Sequence, residues 1–337
     1  MRAWCLDSGF GLDNLRIEQR ADPIYGAQQV LLRVHAVSLN ARDVMMVRGE
    51  YNPRQKLPLI VASDGAGEVI ACGAEVRQWK PGDRVCPIFA GLWQSGPLTQ
   101  AARRSALGGP QDGTLAEYFV ADAAALVAIP EHLSWAEAAC LPCAGVTAYR
   151  ALVELAQLQP GQWLVCLGTG GVSLAALGIA RALGVRVIVT SRSSEKLTRA
   201  MALGAEHGID STQVGEWGNA VRTMTAGEGA HHVLEVGGAG TIAQSVRALR
   251  LGGSLSVIGV LSGALPELDL RPILMQDIRI QGVFVGSRET FEHLLELVRE
   301  HRLRPVIDRE FTFDDGRAAF EYAASGRQFG KVVISFD

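Results

Sequence analysis

The sequence predicts an α/β fold: a doubly wound parallel sheet joined to a β-rich unit. Three observations carry this. The first third of the chain has the two-residue apolar alternation of strands. From about residue 134 strand-like and helix-like segments alternate. One of those strands runs into a helix through a glycine-rich turn.

At 337 residues the chain is longer than a single hydrophobic core, which stops growing at about 250–300 residues. Two domains are therefore expected. A hydrophobic content of 48% with 20% charged residues suits a soluble globular protein, and a net charge of −3 gives no basic footprint for nucleic acid. The N-terminus reaches Asp7 before an apolar stretch can form, which argues against a secretory leader. No run approaches the roughly 20 apolar residues of a membrane span. Six cysteines scattered through apolar runs suit reduced thiols. The expectation is a cytoplasmic protein with a small-molecule substrate and neither nucleic-acid nor membrane partners. Cys140 and Cys143 have the spacing of half a zinc site, but no second pair completes it, so they are expected to be structural.

In chain order, Val30 to Val37 alternates and is β-branched, and Gly67 to Gly73 is a short strand closed by glycine. Lys80-Pro81-Gly82-Asp83 is a turn, and Thr114 to Val120 resumes the strand pattern. Ala90 to Gly113, rich in Gly, Pro, Gln and Ser, is expected to be a long loop. Trp135 to Leu155 reads as a helix in two pieces broken at Pro142, with Ser134 and Glu137 forming a capping box. Then come a strand at Trp163–Leu167, a helix at Val172–Leu183, a strand at Val185–Thr190 and a helix at Ser194–Leu203. A strand at His232–Val236, a helix at Thr241–Leu249 and a strand at Ser254–Ile258 continue the series. Such alternation implies parallel strands with helical crossovers. The end of the chain offers a strand near Ile278–Val283, a helix at Glu289–His301 and a strand at Lys331–Phe336.

The segment Leu164-Val165-Cys166-Leu167-Gly168-Thr169-Gly170-Gly171-Val172-Ser173 is a buried strand, a glycine turn and a helix start. Pyrophosphate requires that order, because glycines let the backbone approach the anion and the helix N-terminus presents free N–H groups. The pattern G-x-G-x-x-G would place glycine at Ser173, so this copy departs there. Thr169, Gly170, Gly171 and Val172 become cofactor-binding candidates in a Rossmann domain. NAD sites usually carry an acid about 20 residues beyond the glycines, bonded to the ribose hydroxyls. Here Ser191 and Arg192 stand in that place, with Lys196 one turn on. A cationic site attracts a 2′-phosphate, so NADP(H) is expected rather than NAD(H).

Several segments together resemble the medium-chain dehydrogenase/reductase superfamily, in its zinc-free quinone-oxidoreductase-like branch. They are Asn40-Ala41-Arg42-Asp43, Ser63 to Val69, Pro81 to Val85, Gly113 to Tyr118, Ala144 to Tyr149, the glycine motif with Leu203-Gly204-Ala205, and Phe329 to Val333. The resemblance implies a GroES-like β-rich catalytic domain over residues 1–126, a Rossmann cofactor domain over 127–264, and a return to the catalytic domain over 265–337. It also implies a homodimer. Where zinc-dependent relatives place a Cys, a His and a second Cys, this chain has Asn40, Ser63 and Cys143, so no metal is expected.

By matching positions, the resemblance puts Asn40 and Asp43 near the nicotinamide, although both types also form turns. Thr147 matches a threonine that approaches the ring, and reads equally as a buried hydroxyl bonded to backbone. Val236, Gly237, Val260, Leu261, Phe284, Val285 and Ser287 lie at or past strand ends, where backbone groups meet the cofactor. Lys331 reads equally as a cofactor contact and as a surface residue. Tyr51 and Trp93 are candidates for a pocket mouth or for loop anchoring. Ser63, Asp64, Tyr51, a ribose hydroxyl and water are all open as proton source. The expected activity is NADPH-dependent reduction of a quinone, enone or aldehyde. The alternatives are a zinc-free alcohol dehydrogenase and a non-catalytic NADP-binding protein. His231-His232 is expected to be a surface turn.

Overall fold

The computed structural model describes residues 1–265 and 267–336. The chain divides into two compact units, Met1–Val146 with Gly286–Asp337, and Thr147–Val285. Both boundaries fall further along the chain than the sequence placed them. Pro142 does not break the helical run after Ser134. The run passes through wide turns at Leu141–Gly145 and Arg150–Leu155 on either side of Val146–Tyr149, and the boundary lies within it. At the other end, Arg279–Gly282 pairs in parallel with Leu249–Val257, which keeps the chain in the cofactor-type sheet until Val285.

Thr147–Val285 is built on six parallel strands. Their order is His207–Asp210, Arg186–Ser191, Trp163–Leu167, Ala230–Glu235, Leu249–Val257 and Arg279–Gly282. The chain first builds outward from Trp163–Leu167 on one side and then returns to build on the other. That reversal makes the C-terminal ends of the central strands the usual ligand position. Trp163–Leu167 is buried along its whole length because strands flank it and helices such as Gly171–Ala182 pack on it. Val165, Ile188, Val233 and Leu255 share one core, each contributing about 1.5–3 kcal/mol by burial. His231 and His232 are not a surface turn. They open the strand Ala230–Glu235, where His231 Nδ1 accepts the Trp163 N–H at 3.1 Å. His232 is buried with Nδ1 2.7 Å from Ser254 Oγ, and its Nε2 has no hydrogen-bond partner among the described residues.

The other unit has a seven-stranded sheet ordered Ile307–Thr312, Lys331–Ser335, Gln29–Leu39, Asp64–Cys72, Arg84–Pro87 and Leu126–Ala128, with Tyr118–Asp122 also on Gln29–Leu39. A smaller sheet joins Leu15–Gln19, Arg2–Leu6 and Leu59–Ile60. Two expectations are corrected here. The Ala90–Gly113 segment contains a helix, Gln100–Arg104, whose N-cap Thr99 Oγ1 accepts the Ala102 N–H at 3.1 Å. Thr114 and Leu115 do not extend the following strand; their N–H groups donate to Ala62 and Val61 carbonyls at 3.0 and 3.2 Å. Trp93 is buried with Nε1 donating to Gly96 O at 2.9 Å, so it anchors its loop. Among the described residues no helix is long and apolar enough to cross a membrane.

Candidate active site

The glycine turn follows Trp163–Leu167, with the Gly168 N–H donating to Thr190 O at 2.8 Å. Gly170 is the N-cap of Gly171–Ala182, and no side chain caps that end. The helix N–H groups there are left for a ligand. A Cβ built on Gly168 or Gly170 would find no atom of the protein within 4 Å. The glycines therefore leave open a space that an anion can fill beside free donors, which fits the pyrophosphate of a dinucleotide. At Ser173, where the pattern departs, the buried hydroxyl donates to Leu167 O at 2.7 Å. It ties helix to strand at the position where the usual third glycine permits close packing.

Ser191 ends the neighbouring strand, buried, with its Oγ accepting the Ser193 N–H at 3.2 Å. Arg192 follows, exposed, with no hydrogen bond or ion pair among the described residues. Ser193 caps Ser194–Ala202 by accepting the Lys196 N–H at 3.3 Å, which sets Lys196 in that helix's first turn. Gly168, Ser191 and Val236 thus stand at the same end of adjacent parallel strands.

Next to them lies a residue that the sequence reading did not single out. The buried Glu235 accepts the N–H groups of Gly237 and Gly238 at 2.7 and 2.9 Å and the Thr241 hydroxyl at 2.6 Å, and Ser245 Oγ donates to its second oxygen. It shapes the Val236-Gly237 turn. The available signal was an acid ending an apolar strand just before Gly-Gly. Val260 and Leu261 are exposed, Thr147 is buried, and Phe284 and Val285 carbonyls accept from Arg150 Nη1 at 3.3 and 3.5 Å. Val285 has φ 43°, a left-handed conformation that costs a β-branched residue energy. Ser287 falls in the other unit, where its Oγ caps Arg288–Glu300 by accepting the Thr290 N–H at 3.1 Å.

In that unit the remaining candidates form one buried polar chain. The Asn40 N–H donates to Asp43 Oδ2 at 2.8 Å, Asn40 Nδ2 donates to Ser63 Oγ at 3.2 Å, and Ser63 Oγ donates to Asp43 Oδ1 at 3.0 Å. Lys331 Nζ donates to Asn40 Oδ1 at 2.5 Å and lies 3.7 Å from Asp64 Oδ2. Ser63 follows Ala62, which has φ 69°. Lys331 follows Gly330, where φ is 95° and a Cβ would come within 2.3 Å of Val306 O, so glycine is required for this approach.

Burial raises the Asp43 pKa, while the Arg42 guanidinium, the Asn40 N–H, Ser63 and Lys331 all oppose that rise. Asp64 is pushed up to about 6 by burial, with Lys331 and the Asn40 amide lowering it, Asp43 raising it and the Cys143 N–H lowering it. No hydrogen bond of ordinary geometry reaches either Asp64 oxygen among the described residues. Tyr51 lies outside the chain. Arg42 sits between its ring and that of Phe89, 4.9 and 4.8 Å from their centres, and donates to Leu107 O and Gly109 O at 2.7 and 2.9 Å.

Comparison with known proteins matches residues 171–300 to the zinc-binding dehydrogenase family and residues 26–131 to the alcohol dehydrogenase GroES-like domain. A zinc-type alcohol dehydrogenase-like protein of Schizosaccharomyces pombe is 40% identical over 97% of this chain and 96% of its own. The chain belongs to the medium-chain dehydrogenase/reductase superfamily. It is an oxidoreductase of that superfamily, whose members use nicotinamide dinucleotides. A solved NAD-dependent alcohol dehydrogenase is 32% identical, with a TM-score of 0.91 over 99% of both chains. A 2-octenoyl-CoA carboxylase reductase, solved with NADP and 2-octenoyl-CoA, is 26% identical with a TM-score of 0.89 over 99% of this chain and 87% of its own. Quinone oxidoreductase-like proteins are relatives too, at 30% and 27% identity.

The family's zinc can be tested against these residues. Among the described residues no three His, Cys, Asp or Glu side chains converge as a ligand set. Asn40 Oδ1 already accepts from an ammonium, Ser63 Oγ donates to a carboxylate, and burial holds the Cys143 thiol protonated by raising its pKa. Zinc requires thiolate, imidazole or carboxylate at such positions. These residues do not fit it.

Proposed function

We propose that this member of the superfamily is an NADPH-dependent reductase that delivers hydride to a small polarised acceptor, a quinone, enone or aldehyde, without zinc. The observation that carries the reading is the end of the second strand. Ser191 and the exposed Arg192 stand where NAD sites hold an acid, and Arg192 has no other partner among the described residues. A guanidinium there gives a 2′-phosphate two charge-assisted hydrogen bonds, whereas an acid would repel it.

When bound, NADPH supplies the hydride. The chain's own residues do the rest: the uncapped helix N-terminus at Gly170 holds the pyrophosphate, and the Glu235-bonded turn fixes the backbone beside it. The misfit of Asn40, Ser63 and Cys143 to zinc supports reduction over alcohol oxidation. Without a Lewis acid nothing lowers the cost of the alkoxide, while hydride addition to an already polarised carbon needs less help. Relatives named as alcohol dehydrogenases favour the second reading, zinc-free alcohol oxidation.

The deciding experiment follows NADPH oxidation with a panel of quinones, enones and aldehydes, together with zinc analysis of the purified protein. Turnover with substoichiometric zinc is expected. NADP+ reduction by simple alcohols with one zinc per chain would contradict it.

A further inference from the structure

We infer that Glu235 and Ser262 are positioning residues for the nicotinamide half of the cofactor, locking two turns into one rigid platform. The inference deepens the NADPH reading above and rests on it. Two glycine-rich turns stand at the same end of adjacent parallel strands, residues 168–171 after Trp163–Leu167 and residues 237–240 after Ala230–Glu235. Backbone N–H groups of such turns cradle anions, but the two differ in what their donors already hold. At Gly170 the helix N–H groups are uncapped. In the second turn the N–H groups of Gly237 to Thr241 are all committed. Gly237 and Gly238 donate to the Glu235 carboxylate at 2.7 and 2.9 Å, and Ala239 donates to Gly263 O at 2.9 Å. Gly240 donates to Ser262 Oγ at 2.9 Å and Thr241 to Gly238 O at 3.0 Å.

Glu235 therefore fills, with its own carboxylate, the place that an anion would take, and the second turn is left for an uncharged group. Ser262 joins this turn to the one after Leu249–Val257. Its N–H and its Oγ both donate to Gly237 O, at 2.6 and 2.8 Å, and the Leu261 N–H donates to Val236 O at 3.3 Å. The turns touch directly at Gly238, where φ is 88° and a Cβ would come within 2.4 Å of Gly263 O and 2.9 Å of Val260 Cα. The surface that the joined turns present is apolar, with Val260 39% and Leu261 64% exposed. A reduced nicotinamide ring is uncharged and planar, so it suits this surface as pyrophosphate suits the open N–H groups at Gly170.

Both residues act through the backbone of Val236, Gly237, Val260 and Leu261. A carboxylate accepts and does not donate, and all the groups on Glu235 are donors: the two N–H groups, the Thr241 hydroxyl and Ser245 Oγ. Alanine at 235 would leave the Gly237 and Gly238 N–H groups unpaired and free the turn. Glutamine keeps one oxygen for Gly237, Gly238 and Thr241 and offers its amide to Ser245 Oγ, which can accept. The hydrogen bonds thus distinguish loss of position from loss of charge.

The test compares Glu235→Ala, Glu235→Gln and Ser262→Ala with the wild-type protein. Calorimetry gives the affinities of NADPH and of 2′,5′-ADP, which carries the adenine-side phosphates without nicotinamide, and kcat is measured beside them. In Glu235→Ala and Ser262→Ala, kcat should fall by up to roughly a hundredfold and NADPH affinity by about tenfold, with 2′,5′-ADP affinity unchanged. Glu235→Gln should recover most of what Glu235→Ala loses. Ser262 is exposed, so its variant decides the matter if Glu235→Ala fails to fold. Equal losses for both ligands, as general damage would give, would overturn the inference. So would unchanged NADPH affinity in Ser262→Ala, a Glu235→Gln as weak as Glu235→Ala, or a wild type that binds NADPH no more tightly than 2′,5′-ADP. A wild type that binds NADPH more tightly yet reduces no acceptor would overturn the reductase reading alone. One that prefers NADH would overturn the NADPH reading, and NADH with AMP would then be the pair that tests the platform.

Discussion

Replacing Gly170 with valine is expected to weaken nicotinamide dinucleotide binding roughly ten- to a hundred-fold, the equivalent of about 1–3 kcal/mol of overpacking, while the protein stays folded. The contrast follows from the geometry of one residue. Gly170 has φ −82° and ψ −178°, an extended conformation open to any residue. A Cβ there meets no protein atom within 4 Å, so the apo protein has room for the branch point of the side chain. The helix loses only its glycine N-cap, a cost of about 1 kcal/mol. Two isopropyl methyls placed over the uncapped N–H groups would instead occupy the space left for pyrophosphate. Titration calorimetry with NADPH and NADH, beside thermal unfolding, checks both halves. Unchanged affinity would mean that the cofactor lies elsewhere, and loss of folding would mean that the open space is not open.

A second large effect concerns stability in acid. His232 lies inside the parallel sheet, and burial above all, then the nearby charge of Arg279, lowers its pKa from 6.5 to about 3, with the Ser254 hydrogen bond acting the other way. The unfolded chain takes up this proton below about pH 6.5, while the native chain resists it until about pH 3. Its contribution is complete above pH 6.5 and is lost as the pH falls towards 3. The loss reaches roughly 3 kcal/mol by pH 4, at about 1.36 kcal/mol per unit.

Asp64 slopes in the opposite direction. Its raised pKa means that the native state binds a proton more readily than the unfolded chain as pH falls through about 6, which adds stability there. The informative quantity is therefore the difference between wild type and His232→Asn, which can keep a hydrogen bond to Ser254 and removes the titration. Urea unfolding from pH 7.5 to 4 should show a stability difference that shrinks, in favour of the variant, by about 3 kcal/mol. A difference constant with pH would show that His232 protonates without penalty.

The parallel sheet was legible in the sequence because its central strands are buried on both faces, which gives uninterrupted apolar runs such as Trp163–Leu167, found at its expected limits. Amphipathic helices with serine caps, such as Ser194–Ala202 behind Ser193, were legible for the same local reason. Elements whose pattern is set by distant partners were not. Ile307–Thr312 is partly exposed along its length and has no clear alternation, yet it pairs with Lys331–Ser335. Pro142 reads as a helix breaker because sequence cannot anticipate a wide turn that accommodates it. The two histidines look polar and loop-like until strands close around them.

The site divides in the same way. The glycine turn and the missing acid are local and could be read directly. Lys331 offered a cofactor contact or a surface position, and its actual place against Asn40 and Asp64 depends on a long-range pairing. Arg42 carries no local signal of its place; burial between two aromatic rings makes it the anchor of the 107–109 turn.

The choice between NADPH and NADH rests on Arg192. The dissociation constants of NADPH and NADH for the wild-type protein and for Arg192→Ala decide it. Wild type should prefer NADPH, and the substitution should weaken NADPH about tenfold or more, as loss of a hydrogen bond worth about 1.5–3 kcal/mol with a charged group implies, while NADH binding is unchanged. Equal affinity for the two cofactors in wild type, with no change on substitution, would contradict it.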